Sequence, residues 1–233
     1  MRVGLRESRE RFYESYRSSD GQCIPEEDTT TEKRKSLLAD ALNRLGKGAD
    51  ADQRVPKILD AGCGNGEFSE FIGELGFEVV GIDISESSIK MAKDSSYRGS
   101  FHVGSLEDKL PFNEGEFAAI WSTEVLEHLF DVHACLSEFN RVLQESGLLI
   151  ITVPYHGRIK NLALALAGFE RHYNPYLSHI RFFSKRSLTN CLIQAGFEPL
   201  RWKGIGRFWP FNKSFFVVSR KVGAPGSMPE IIG

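Results

Sequence analysis

The chain has 233 residues, of which 41% are hydrophobic and 26% charged. That composition excludes wholesale disorder, and the length is ample for one sizeable core. Basic and acidic residues nearly balance, 29 against 31, so the total charge singles out no polyanion partner. Cys23, Cys63, Cys135 and Cys191 form no C-x-x-C pair, so neither a zinc ribbon nor a disulfide scaffold is expected, and a reducing, cytoplasmic setting is. The first residues contain no apolar stretch of the secretory kind. No apolar run reaches the roughly 20 residues of a membrane span; the longest, LALALAG, covers 162–168.

Residues 5–17 are polar and helical in pattern, with Phe12, Tyr13 and Tyr16 as apolar points. Thr30 or Thr31 suits the cap of a helix running to Leu45, where Leu37, Leu38, Ala41 and Leu42 fall at helical spacing and Gly46 is the stop. KGADADQRVP reads as a linker. Beyond it come a short apolar strand (VPKILDAG), a helix ended by Gly76, and a second strand (FEVVGIDIS). Ser85 is placed to cap the next helix. FHVGS and FAAIWST read as strands, Val125 to Gln144 as mainly one helix, and LLIITVP as a buried strand. The pattern then loosens up to Ile180, resumes as a helix over Ser187–Ala195, and ends in two β-rich stretches, FEPLRWKGIG and KSFFVVSRK. Alternating strands and helices predict an α/β fold with a doubly wound, mostly parallel sheet of seven strands. The last two stretches, joined by a loop, predict an antiparallel hairpin at its edge. The expected organisation is an N-terminal helical cap (1–50), a main domain (51–221) with a lid or specificity insertion at 155–183, and a flexible tail (222–233).

The most informative segment is Ile58-Leu59-Asp60-Ala61-Gly62-Cys63-Gly64-Asn65-Gly66, a strand entering a glycine turn from which a helix opens. Glycines let such a turn close sharply and bring backbone N–H groups near a ligand. Dinucleotide sites carry G-x-G-x-x-G, but position 67 is Glu, so the third glycine of that pattern is missing. Asp83 closes the next strand, where a carboxylate can accept both hydrogens of a ribose diol.

I-L-D-A-G-C-G-N-G-E-F, V-V-G-I-D-I-S, L-P-F and W-S-T-E-V-L-E-H-L resemble the successive motifs of class I S-adenosylmethionine-dependent methyltransferases, nearest the ubiquinone-biosynthesis O-methyltransferase branch. The resemblance is strong over residues 55–154 and weaker through 187–198. It implies S-adenosyl-L-methionine as cofactor. Asp60, Gly62, Gly64 and Gly66 would surround its methionine end, Asp83 would hold the ribose, and Ile84 would pack on the adenine. Ser105 and Leu106 would lie at the adenine edge, where relatives often carry an Asp after the glycine and this chain has Gly104-Ser105. Ser122 and Thr123 would face the methionine amino group. An adenosine joined to a cationic sulfonium suits carboxylates better than an anion cradle.

Methyl transfer to a hydroxyl gains from a general base. His128 is the first candidate and His179, in HIRFFS, the second. Glu124, Glu127 and His128 share one helical face at i, i+3 and i+4. Some ubiquinone-pathway relatives are similar there and use a divalent metal to orient a catechol; here the two acids equally suit a helix N-terminus, and no metal is expected. Residues 155–221 carry 12 basic residues against Glu170 and Glu198. Ile159, Leu162, Leu166 and Phe169 form an apolar helical face beside Arg158 and Lys160. This pattern suits a lid over an amphiphilic or anionic small-molecule acceptor, or peripheral contact with an anionic membrane surface, and equally an ordinary helix packed on the sheet with its polar residues solvated. RNA modification of the wobble-uridine kind shares L-P-F and E-V-L-E-H, yet no compact basic run marks a nucleic-acid site. A non-catalytic cofactor-binding relative is the third reading. The sequence carries no signal for oligomeric state.

Overall fold

The computed structural model describes residues 29–45, 55–95, 97, 99–167 and 179–226. The helical pattern expected over 5–17, most of the linker, the middle of the 155–183 insertion (168–178, with Phe169) and most of the C-terminal tail lie outside the described residues.

Seven strands form one sheet: β1 (Lys57–Ala61), β2 (Glu78–Asp83), β3 (Ser100–Val103), β4 (Phe117–Thr123), β5 (Leu143–Pro154), β6 (Phe197–Gly206) and β7 (Asn212–Lys221). Their order is β3-β2-β1-β4-β5-β7-β6. The first five are parallel, and β7 inserts antiparallel between β5 and β6. The expected fold class and the closing hairpin are both present. Among the described residues, six α-helices accompany the sheet: α1 (Thr29–Leu42), α2 (Glu67–Glu74), α3 (Glu86–Asp94), α4 (Val132–Val142), α5 (Arg158–Ala167) and α6 (Lys185–Gln194).

Two apolar layers form where the helices cover the sheet. On one side Phe117, Ile120, Leu136, Phe139, Leu149, Leu188 and Phe197 interlock. On the other, Leu38 and Leu42 of α1 pack with Ile58, Ile72, Trp121 and Phe216. Strands buried on both faces need continuous apolar runs, which is why β4 and β5 read as unbroken in the sequence. α1 is further tied to the far hairpin by an ion pair between Asp40 and Arg201.

One expectation is corrected. The helix expected from Val125 to Gln144 is broken: a single 3₁₀ turn (Leu126–His128) precedes α4, and the chain is extended at Leu129. Asp131 causes the restart, its side chain accepting from the N–H of Ala134 at 2.9 Å as an N-cap. The break turns the residues before α4 onto the carboxyl edge of the sheet, where parallel α/β sheets bind ligands.

Candidate active site

The turn after β1 is built by backbone that only glycine adopts readily. Gly62, Gly64 and Gly66 have φ of 82°, 53° and 88°. The N–H groups of Gly62 and Cys63 both donate to Ile82 O, at 2.8 and 3.1 Å. A Cβ on Gly62 would lie 2.4 Å from Val125 Cγ2, so the turn and the segment after β4 are in contact.

Two carboxyls lie at this turn. Asp83 is buried; its Oδ2 accepts from Gly64 N and its Oδ1 from Ser85 N, each at 2.9 Å. Both oxygens are thus fixed at the carboxyl end of β2. Asp60 is buried as well, and its Oδ2 accepts from Ser69 Oγ at 2.6 Å. Burial raises its pKa to about 7, with the charge of Asp83 adding to the rise and Ser69 opposing it.

The remaining cofactor residues expected from the sequence fall around the same edge. Ile84 is half-buried just beyond β2. Ser105 and Leu106 follow β3 and are buried; Ser105 Oγ accepts from Glu107 N at 3.2 Å, while Leu106 joins the core. Ser122 Oγ donates to Ala61 O at 2.9 Å, which spends the hydroxyl on bridging β4 to β1. Thr123 Oγ1 lies 2.7 Å from Thr152 Oγ1 on β5.

Beyond β4 the backbone is strained. Glu124 has a φ of 51°, unusual for a residue with a side chain and a frequent mark of functional sites. Thr152 Oγ1 donates to Glu124 Oε1 at 2.8 Å, and Arg34 Nη2 of α1 lies 3.4 Å from the same oxygen. Sequence reasoning missed Thr152 and Arg34; neither lies in a motif, and only the strand pairing and the docking of α1 bring them in.

Glu127 is 0% exposed, and neither carboxyl oxygen has a hydrogen-bond partner among the described residues. Burial, with the charge of Glu124 behind it, pushes its pKa well above the usual carboxylate range. Its Oε1 lies 3.8 Å from Nε2 of His128. The backbone carbonyl of Glu127 accepts from the N–H groups of both Ile180 and Arg181, each at 3.0 Å. That pair of bonds anchors His179, 51 positions along the chain from His128, with the two ring centroids 4.8 Å apart. The crowding of the His179 ring by protein lowers its pKa, with Glu124 opposing. Ligand atoms of Glu127, His128 and His179 lie within 4.8 Å of one another and could hold a cation. The E-x-x-E-H set read from the sequence is thus divided: Glu124 turns to Thr152 and Arg34, and His179 takes its place in the group.

Residues 30–201 match the model of a family described as "Methyltransferase domain". The chain belongs to this methyltransferase family. A malonyl-[acyl-carrier protein] O-methyltransferase of Hamiltonella defensa is 32% identical over 151 residues, which are 62% of this chain and 58% of that protein. A ubiquinone biosynthesis O-methyltransferase of Dinoroseobacter shibae is 29% identical over 156 residues, 64% of this chain and 62% of the relative. The chain spans about half to three-fifths of the length of the curated relatives it matches. Among solved structures, the 1,6-didemethyltoxoflavin-N1-methyltransferase of Burkholderia thailandensis superposes with a TM-score of 0.66. The match covers 92% of this chain and 87% of that one at 19% identity, a likeness of fold.

S-adenosylmethionine is the cofactor of this methyltransferase family, and the residues present fit it. The turn is open at three glycines, a carboxylate closes β2, and a second buried carboxyl has a pKa raised until a cation is placed beside it. A dinucleotide pyrophosphate would instead meet Glu67 and Glu70 in the first turn of α2.

Proposed function

We propose that the chain transfers a methyl group from S-adenosylmethionine to a hydroxyl of a small amphiphilic or anionic acceptor. The observation that carries the reading is the meeting of His128, His179 and the buried Glu127 beside the glycine turn. When bound, the cofactor supplies an electrophilic methyl on its sulfonium. The chain's residues supply position and a proton acceptor. Asp83 receives the ribose hydroxyls and Asp60 faces the positive end. His128, reached from the mouth, takes the proton of the acceptor hydroxyl as its oxygen becomes nucleophilic, a role worth about 10²–10⁴-fold. Glu127 lies behind the imidazole as a positioning residue, its Oε1 3.8 Å from Nε2, where a carboxyl oxygen faces the ring as it takes up the proton. Holding the acceptor in line and excluding water supplies much of the remaining acceleration.

The proposal is tested in two stages. S-adenosylhomocysteine at 100 times its dissociation constant should add about 2.7 kcal/mol of stability, roughly 5–10 °C for a domain of this size, with no shift from NAD. Methyl transfer from isotopically labelled cofactor to a panel of phenolic and aliphatic hydroxyl acceptors, some carrying a carboxylate, then reads the reaction. Labelling of nitrogen acceptors alone would overturn the hydroxyl assignment.

A further inference from the structure

The apolar face expected from Ile159, Leu162 and Leu166 forms on α5, but it turns to solvent: Leu162 is 62% and Leu166 81% exposed. A second exposed apolar group lies at the tip of the β6–β7 hairpin, where Phe208 is 76% and Trp209 72% exposed. Pro154 of β5 pairs with Ser214, and Gly206 with Asn212. The hairpin tip and the start of α5 therefore leave the sheet at the same edge, the carboxyl edge that carries Asp60, Asp83 and His128. Lys160 joins them, its Nζ donating to Tyr155 O at 2.8 Å and to Asn212 O at 3.2 Å. His156 extends the connection toward the mouth of the site: its Nδ1 lies 3.3 Å from Asn161 Oδ1, and its ring meets the exposed Phe182 edge-on at 4.8 Å.

Exposed cations flank these side chains: Arg158 on α5, and Arg207 and Lys213 at the hairpin tip, while Lys203 lies nearer Asp40 of α1. Of the two acids in residues 155–221, Glu198 lies at the opposite end of β6 in an ion pair with Arg220, and Glu170 lies outside the described residues. Aliphatic and aromatic side chains set among cations are the chemistry of a peripheral contact with anionic lipid: the apolar groups enter the headgroup boundary while the cations meet the phosphates. No helix among the described residues is long and apolar enough to cross a membrane.

We propose that α5 and the β6–β7 tip dock this protein on an anionic membrane surface, with the mouth of the methyltransferase site on the side that meets the lipid. The docking is independent of the acceptor assignment, since it is read without turnover.

The test is co-sedimentation of the full chain with vesicles of phosphatidylcholine alone and with about 30% phosphatidylglycerol, at salt of about 0.1 and 0.5 M. The protein should bind only the anionic vesicles, more weakly at the higher salt, with a blue shift of tryptophan emission that Trp209→Ser removes. Leu162→Glu/Leu166→Glu and Phe208→Ser/Trp209→Ser should each lower vesicle affinity by at least roughly tenfold. Both should keep the S-adenosylhomocysteine thermal shift, which shows that they fold. If that shift is absent from the wild type while vesicle binding stands, the functional reading fails and the docking surface does not. The docking proposal is overturned if anionic vesicles do not retain the wild type or if the variants bind them equally well. It is also overturned if the wild type is a dimer that Leu162→Glu/Leu166→Glu separates, or if RNA is bound through these residues in place of lipid.

Discussion

Oε1 of Glu127, on a side chain with no exposed surface, lies 3.8 Å from Nε2 of His128. A carboxyl without hydrogen-bond partners is costly to bury in its charged form, so it holds its proton more tightly than an exposed carboxyl does. His128→Ala should cut kcat by about 10²–10⁴-fold and leave S-adenosylhomocysteine binding intact. Glu127→Gln should lower kcat less and change the pH profile of kcat while KM for the acceptor holds. A Gln variant with a wild-type pH profile would remove Glu127 from the positioning role.

The raised pKa of Asp60 makes stability depend on pH in a defined direction. In the unfolded chain the group titrates near 3.8 and in the fold at about 7. The folded state holds the extra proton between those values, so this contribution is complete below pH 3.8 and is lost as pH rises to about 7, flat above. Against Asp60→Asn, the wild type should lose stability over that interval with a slope of up to about 1.4 kcal/mol per pH unit. Placing a cation beside the carboxyl reverses the shift, so cofactor binding near pH 6.5 should release a proton. Isothermal titration in two buffers of different ionisation enthalpy reads that release directly.

Asp83 holds the turn and, in the proposed function, the ribose as well. Asp83→Ala removes the acceptors of Gly64 N and Ser85 N along with that proposed ribose partner. Charge-assisted bonds of this kind contribute about 1.5–3 kcal/mol each, so affinity for S-adenosylhomocysteine should fall by roughly 10²-fold or more. Calorimetry on the folded variant checks it, and an unchanged affinity would separate Asp83 from the cofactor.

Gly62→Ala should be harmful for two separate reasons. Its φ of 82° strains any side chain, and the new methyl would meet Val125 Cγ2 at 2.4 Å. Backbone strain alone costs about 1–3 kcal/mol. The melting temperature should drop by several degrees, on the order of 2–4 °C per kcal/mol. The double variant Gly62→Ala/Val125→Ala should recover the part that is steric clash.

Chelation should leave turnover unchanged. Glu124 is engaged by Thr152 and Arg34, and burial of Glu127 disfavours the charged form that would ligate a cation. Activity after exhaustive treatment with EDTA, and its response to added magnesium or zinc, checks this. Strict dependence on added metal would assign Glu127, His128 and His179 as its ligands.

The glycine turn and the strand-end Asp83 were legible because their chemistry is local: a turn, a helix start and a carboxylate at a fixed interval along one chain segment. The break before α4 was legible in principle, since Asp131 followed by Val132-His133-Ala134 is a cap signal, but the apolar pattern continued through it and favoured one long helix. The meeting of His128 with His179 had no local signal. It depends on a segment that returns to the carbonyl of Glu127 after α4, β5 and α5 have intervened. The strain at Glu124 was equally silent, because φ is imposed by how β4 and β5 register and not by the residue type.

The strand that is last in sequence, β7, lies inside the sheet, while the earlier β6 takes the rim. A sheet with this order cannot be completed by adding strands outward as they leave the ribosome. β6 has no neighbour to pair with until residues 212–221 have been made and threaded in beside β5. Until then the edge of β5 stands open, and Pro154, from which the chain turns toward the acceptor side, is held on one flank only. A chain stopped before residue 212 would therefore leave the edge of β5 unpaired, and an exposed strand edge of this kind is a template for pairing with another chain.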